Sequence, residues 1–194
     1  MPIDFNEHRE QLSLQYMKER YGLEKEVPTI EPKIVVLHWT AISTLGGSYN
    51  AFRNVELPKG RTEIAGAGSL NVSAHFLVDR NGKIYRLMPE TIMARHVIGL
   101  NHVAIGVENV GGTKSTPLTK KQLRANIWLV EYLNKKYDIE YVIGYHEYTN
   151  FENHELWLEM DEGYRTQKSD PGEKFMRKLR AATKHLQFKP IPKK

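Results

Sequence analysis

The run "KIVVLHW" (residues 33–39) is apolar at almost every position up to its histidine. A strand with one wet face alternates apolar and polar residues. A strand covered on both faces reads as a continuous apolar run, as central strands of α/β sheets do. This segment therefore predicts a sheet with layers on both sides. "VAIGVENV" (103–110) and "YVIGYHEY" (141–148) read as two further buried strands. "VSAHFLVDRNGKIYRLM" (72–88) reads as a hairpin about Asn81-Gly82, with a type I′ turn expected. The hairpin makes part of the sheet antiparallel.

Helical periodicity fills the rest. Residues 6–21 predict a helix capped by Asn6, ended by Gly22 and striped by Leu14, Met17 and Tyr21. Residues 119–137 predict a long helix with a Thr119–Gln122 capping box and Leu123, Ile127, Val130 and Tyr137 on one face. A last helix is expected to open at Asp170-Pro171, with Asp170 as cap and Phe175, Leu179, Ala182 and Leu186 inward. Residues 40–70 read as a long loop around one short helix. The expected fold is α/β, a single mixed sheet flanked by helices. Its divisions are a helical arm and linker (1–32), the main domain (33–187) and a basic tail (188–194).

The chain has 194 residues, no cysteine and a net charge of +5. Disulfides, thiolate metal sites and a cysteine nucleophile are excluded. No apolar run is long enough for a membrane span, and the N-terminus lacks the apolar core of a signal peptide. The basic residues are scattered and are not interleaved with aromatics, so nucleic acid is not the expected partner. A mild positive excess suits an anionic cell envelope, which is the expected place of work, as a monomer.

Histidine occurs eight times. His8, His154 and His185 read as solvated. His38, His75 and His146 are placed on strands, and His96 and His102 flank a turn. His38 ends an apolar strand, where open α/β sheets build their sites. It reads equally as a core histidine bonded to a carbonyl. Asp170 before proline reads as a helix cap, and Glu108 faces either solvent or a site.

As a set these segments carry more. "VVLHWT", "VSAHFLVDRNGKIYRL", "ARHVIGLNHVAIGVENVGG" and "KSDPGEKF", in this order, resemble the zinc-dependent type 2 N-acetylmuramoyl-L-alanine amidases, the superfamily shared with peptidoglycan recognition proteins. The resemblance covers roughly 33–180. It implies zinc as cofactor, with His38 and Asp170 as ligands, Glu108 as catalytic glutamate and Lys168 as assisting lysine. Three protein ligands and one open position suit catalytic zinc. A glutamate outside the ligand set suits proton transfer, and a lysine suits stabilisation of an oxyanion.

The departure lies in "GYHEY". The family's second ligand comes directly after the glycine, where Tyr145 stands, and His146 comes one place later. A one-residue shift turns a side chain to the other face of a strand. Either a bulge after Gly144 re-aims His146 to the metal, which is the expectation, or His146 is not a ligand. Trp39, His75, His96 and Tyr145 are further candidates for lining the cleft. The expected function is hydrolysis of the amide between N-acetylmuramic acid and L-alanine in peptidoglycan or muropeptides. The alternative is a non-catalytic peptidoglycan-binding module of the same fold.

Overall fold

The structure, a computed structural model, describes residues 1–193, with the backbone alone at 62 and 63. Its centre is β1 (Ile34–Trp39), parallel to β4 (Ala104–Asn109) on one side and to β5 (Tyr141–Gly144) on the other. Beyond β4 lie β2 (Phe76–Val78), also parallel, and β3 (Ile84–Arg86), antiparallel to β2. The strand order is β3-β2-β4-β1-β5. The mixed sheet read from the sequence is the one that forms.

One face of the sheet carries Val35, Leu37, Ile105, Val107 and Val142. It packs on α4 (Lys120–Lys136) and α5 (Glu173–Ala182) through Leu129, Val130, Leu133, Met176 and Leu179. The other face carries Ile34, Val36, Ala104, Tyr141 and Ile143 and is covered by segments 97–100 and 145–151. Side chains alternate between faces, so the residues that continue each strand inherit its parity.

The hairpin turn differs from expectation. Gly82 has φ +87°, but Asn81 is not left-handed. The turn closes with Gly82 N–H on the Asp79 carbonyl at 2.8 Å and Asp79 N–H on the Lys83 carbonyl at 2.9 Å. A type I′ turn needs two positive φ values, so this is instead a type I turn with a left-handed glycine after it. Of the expected face of α4, Leu123 and Ile127 are only half-buried and Tyr137 lies beyond the helix. Gln122 and Asn126 are buried in their place, with Asn126 bonded to Asn109 at the end of β4 at 2.7 Å.

Helix α1 (Glu7–Tyr21) has the predicted ends: Asn6 accepts from Arg9 N–H, and Gly22 is left-handed. Its buried face is not the expected stripe, since it holds Arg9, Ser13, Tyr16 and Arg20 beside Met17 and Tyr21. The loop 40–70 carries two helices, α2 (Leu45–Arg53) and α3 (Thr62–Ala65), where one was expected. Arg9 ties α1 to the end of α2 by donating to the carbonyls of Phe52, Arg53 and Asn54 at 3.3, 3.0 and 2.8 Å.

Candidate active site

Of the four parallel strands, β1, β4 and β5 end side by side at one edge of the sheet. His38 is the register partner of Glu108, and Leu37 that of Gly144. His38, Glu108 and Tyr145 thus meet on the face opposite α4 and α5. Asp170 and Lys168 reach the same place from the segment before α5. These five, with Trp39 and His96, line a cavity of about 350 Å³.

The parity of the strand "YVIG" decides where Tyr145 points. Tyr141 and Ile143 lie on the site face and Val142 on the helix face. By that alternation Tyr145 continues onto the site face, its ring 4.9 Å from that of His38. The strand ends at Gly144, and residues 145–151 form a 3₁₀-helix. His146 is therefore not on a strand, and no bulge turns it inward. Its backbone N–H and its ring Nδ1 both donate to the Asp170 carbonyl, at 3.1 and 3.0 Å. The ring lies against Gly144, where a Cβ would stand 2.7 Å from His146 Cε1. His146 does not join His38 and Asp170 in the cavity lining; the Asp170 carbonyl holds its Nδ1, and its Nε2 lies 3.9 Å from Glu147 Oε1.

Asp170 does not cap α5 as expected. The cap position is Gly172, which makes no side-chain bond. The Asp170 carboxylate is turned to the site instead, with Oδ2 at 3.2 Å from His38 Nδ1 and Oδ1 buried without a partner.

The histidine tautomers are set by backbone acceptors. His96 Nε2 donates to the Ala104 carbonyl at 3.2 Å, which leaves its Nδ1 to accept from His38 Nε2, also at 3.2 Å. Burial, and then the neighbouring His38 and His75, hold the His96 pKa well below the ordinary value, consistent with a neutral ring. His38 thereby presents Nδ1 to Asp170. Gly106 allows this, because a Cβ there would stand 2.6 Å from His96 Cγ. His75 is fully buried and outside the cavity. It ties the loop to the sheet, donating to the Ile92 carbonyl at 2.9 Å and accepting from Gly106 N–H at 2.9 Å.

Glu108 is buried, and its Oε2 has no partner. Burial is the chief reason its pKa stands at about 7; Asp170 adds to the rise, and His38, Lys168 and Arg61 oppose it. A carboxyl poised there can hold or release a proton near neutrality.

The ligand set expected for zinc is His38 and Asp170, which the resemblance implied, with His146 as the displaced third. His38 Nδ1 and Asp170 Oδ2 face each other at 3.2 Å, both side chains buried, and imidazole with carboxylate suits two ligands of one metal. The third position does not fit. Tyr145 fills it with a phenol that shares a 2.5 Å hydrogen bond with Thr166 and whose pKa burial pushes up, so it stays neutral. Among the described residues no group of three His, Cys, Asp or Glu is arranged to hold a metal ion.

The cavity also has walls the sequence reading did not single out, among them Tyr16, Arg95, Asn101, Tyr164 and Thr166. The one signal for Tyr16 was its place on a helix face beside Met17.

The profile of the N-acetylmuramoyl-L-alanine amidase family matches residues 28–173. The chain belongs to that family. Solved structures share its fold. The N-acetylmuramoyl-L-alanine amidase LysC from Clostridium intestinale URNW superposes with a TM-score of 0.55 at 23% identity, covering 82% of this chain and 88% of LysC. The amidase AmiD from E. coli, solved with anhydro-N-acetylmuramic acid-L-Ala-D-gamma-Glu-L-Lys, gives 0.53 at 22%, covering 82% and 60%. Human PGRP-IBETAC, solved with glycosamyl muramyl pentapeptide, gives 0.54 at 17%, covering 81% and 88%. No curated protein sequence matches. At these identities the likeness is one of fold, which the family shares between amidases and recognition proteins.

Proposed function

We propose that this chain is a recognition domain for muropeptides, the muramoyl-peptide units of peptidoglycan, built on the amidase fold. Family membership and the muropeptides held by AmiD and PGRP-IBETAC support the ligand class. The cavity at the sheet edge, with aromatic walls and a few convergent polar groups, is the kind of pocket that takes such a ligand. One observation carries the choice of binding over hydrolysis: Tyr145 stands beside His38 where the family's second ligand belongs, and His146 is turned to the Asp170 carbonyl. A net charge of +5 suits work on the anionic envelope.

The second reading is hydrolysis of the amide between N-acetylmuramic acid and L-alanine. It is favoured by Glu108, buried with its carboxyl at about 7 and lining the cavity together with Lys168. Those are the residue types that proton transfer and oxyanion stabilisation require.

The two are separated by titrating a muropeptide into the protein by calorimetry while assaying release of the stem peptide, with and without added zinc. Binding that neither needs zinc nor leads to cleavage is the expected result. Zinc-dependent cleavage would establish the second reading, and absence of binding would remove the first.

A further inference from the structure

Helix α1 begins and ends before residue 28, so it lies outside the segment the family profile matches. It is nonetheless part of the cavity. Tyr16 is 3% exposed and lines it. The Arg95 guanidinium lies over the Tyr16 ring at 5.1 Å and donates to the Ile64 carbonyl at 2.6 Å and to the Tyr164 hydroxyl at 3.2 Å. Tyr16, Ile64, Arg95 and Tyr164 thus form one connected part of the cavity wall.

Two other residues of α1 hold the segments that carry the remaining walls. Tyr21 OH accepts from Asn101 Nδ2 at 2.8 Å, and Asn101 Oδ1 accepts from the backbone N–H groups of His96 and Val97, both at 2.8 Å. That anchors the loop whose His96 bonds His38. On the other side, Arg20 pairs with Glu159 at 2.6 Å, with side chains 11% and 0% exposed. Arg20 also lies over the Tyr164 ring at 4.7 Å, and its carbonyl accepts from Met160 N–H at 3.0 Å. Thr166, two residues past Tyr164, is the partner of Tyr145.

Packing alone does not account for this face. A helix that only covers a core needs apolar residues there, and a buried ion pair is a poor source of stability compared with an apolar pair. Such a pair does provide one defined geometry, here between α1 and segment 159–166.

We infer that α1 is a specificity element of the site. Tyr16 sets the depth of the cavity, and Arg20 and Tyr21 fix the two segments around it, so α1 determines how much of a muropeptide the cavity accepts. The inference rests on the muropeptide reading and refines it.

The test is an NMR titration of the full chain with two probes, N-acetylmuramoyl dipeptide and N-acetylmuramoyl pentapeptide. The Tyr16 ring signals are expected to shift when probe is added to the wild-type protein. Tyr16→Ala and Arg20→Gln are each expected to change the ratio of the two Kd values by about threefold or more, the scale of one aromatic wall contact. Gln11→Ala, on the exposed face of α1, should leave the ratio unchanged. Should Tyr16→Ala not fold, the wild-type ring shift and Arg20→Gln decide the matter. Both probes binding with Tyr16 signals unmoved and the ratio constant in the folded variants would overturn the inference alone. Neither probe binding the wild-type protein would overturn the muropeptide reading and this inference with it.

Discussion

The Tyr145 ring lies 4.9 Å from the His38 ring, while the ring of the next residue, His146, is bonded to the Asp170 carbonyl at 3.0 Å. The resemblance read from the sequence expects a histidine at the position Tyr145 holds, and here the histidine comes one residue later. The consequences are open to measurement.

If His146 is a structural residue, His146→Ala should leave muropeptide affinity within about twofold of wild type. It should lower stability by about 1 kcal/mol through the lost hydrogen bond to Asp170. Urea denaturation and calorimetry on the same preparation check both parts. Loss of binding with unchanged stability would place His146 in the site after all.

Glu108 makes stability depend on pH. Burial holds its folded pKa at about 7, above the ordinary 4.5. Between those values the folded protein binds the proton and the unfolded chain does not. This share of stability is therefore complete below about 4.5 and is lost as pH rises through about 7. Glu108→Gln should lose that dependence, so its melting temperature should fall less than that of wild type between pH 5 and pH 8. Parallel slopes in the two proteins would contradict the assignment.

Gly106 gives His96 its place. Gly106→Ala puts a Cβ within 2.6 Å of the His96 ring, and overpacking of that kind costs about 1–3 kcal/mol. The His96–His38 bond should break, and the ring signals of both residues should move in a histidine NMR spectrum. A variant as stable as wild type with unmoved signals would show that the ring has room elsewhere.

Glu90 anchors the β3 side of the sheet to α4. Its carboxylate accepts from Arg86 at 2.5 Å, Lys136 at 2.6 Å, Tyr137 at 2.7 Å and Tyr132 at 3.2 Å. Glu90→Ala leaves all four donors without this acceptor and should cost about 2–4 kcal/mol in urea denaturation, with ligand binding retained in the folded fraction.

Much of this architecture was legible in the sequence because it rests on local patterns. The run 33–39, the Thr119–Gln122 box and the Asn6 and Gly22 helix ends all formed as read. The meeting of His38, Glu108, Lys168 and Asp170 was legible only as a set of motifs, since strand order decides which strand ends are neighbours. The readings that failed depended on tertiary geometry. "YVIGYHEY" has the composition of one strand, but it is cut at Gly144, where the 3₁₀-helix begins and His146 packs against Gly144 and the Asp170 carbonyl. The Asp170-Pro171 pair has the pattern of a cap, yet the carboxylate is drawn to His38. The inward face of α1 was misread because Arg9 and Arg20 are buried by partners distant in sequence, which periodicity cannot register.

The most direct test is the zinc content of wild-type protein and of Tyr145→His, each loaded with zinc, dialysed without chelator and measured by mass spectrometry. With two ligands the wild-type protein should retain well below one zinc per chain. Tyr145→His places a third donor on the site face beside His38 and Asp170 and should retain about one. Stoichiometric zinc in the wild-type protein, lost on His146→Ala, would contradict the account and return His146 to the metal.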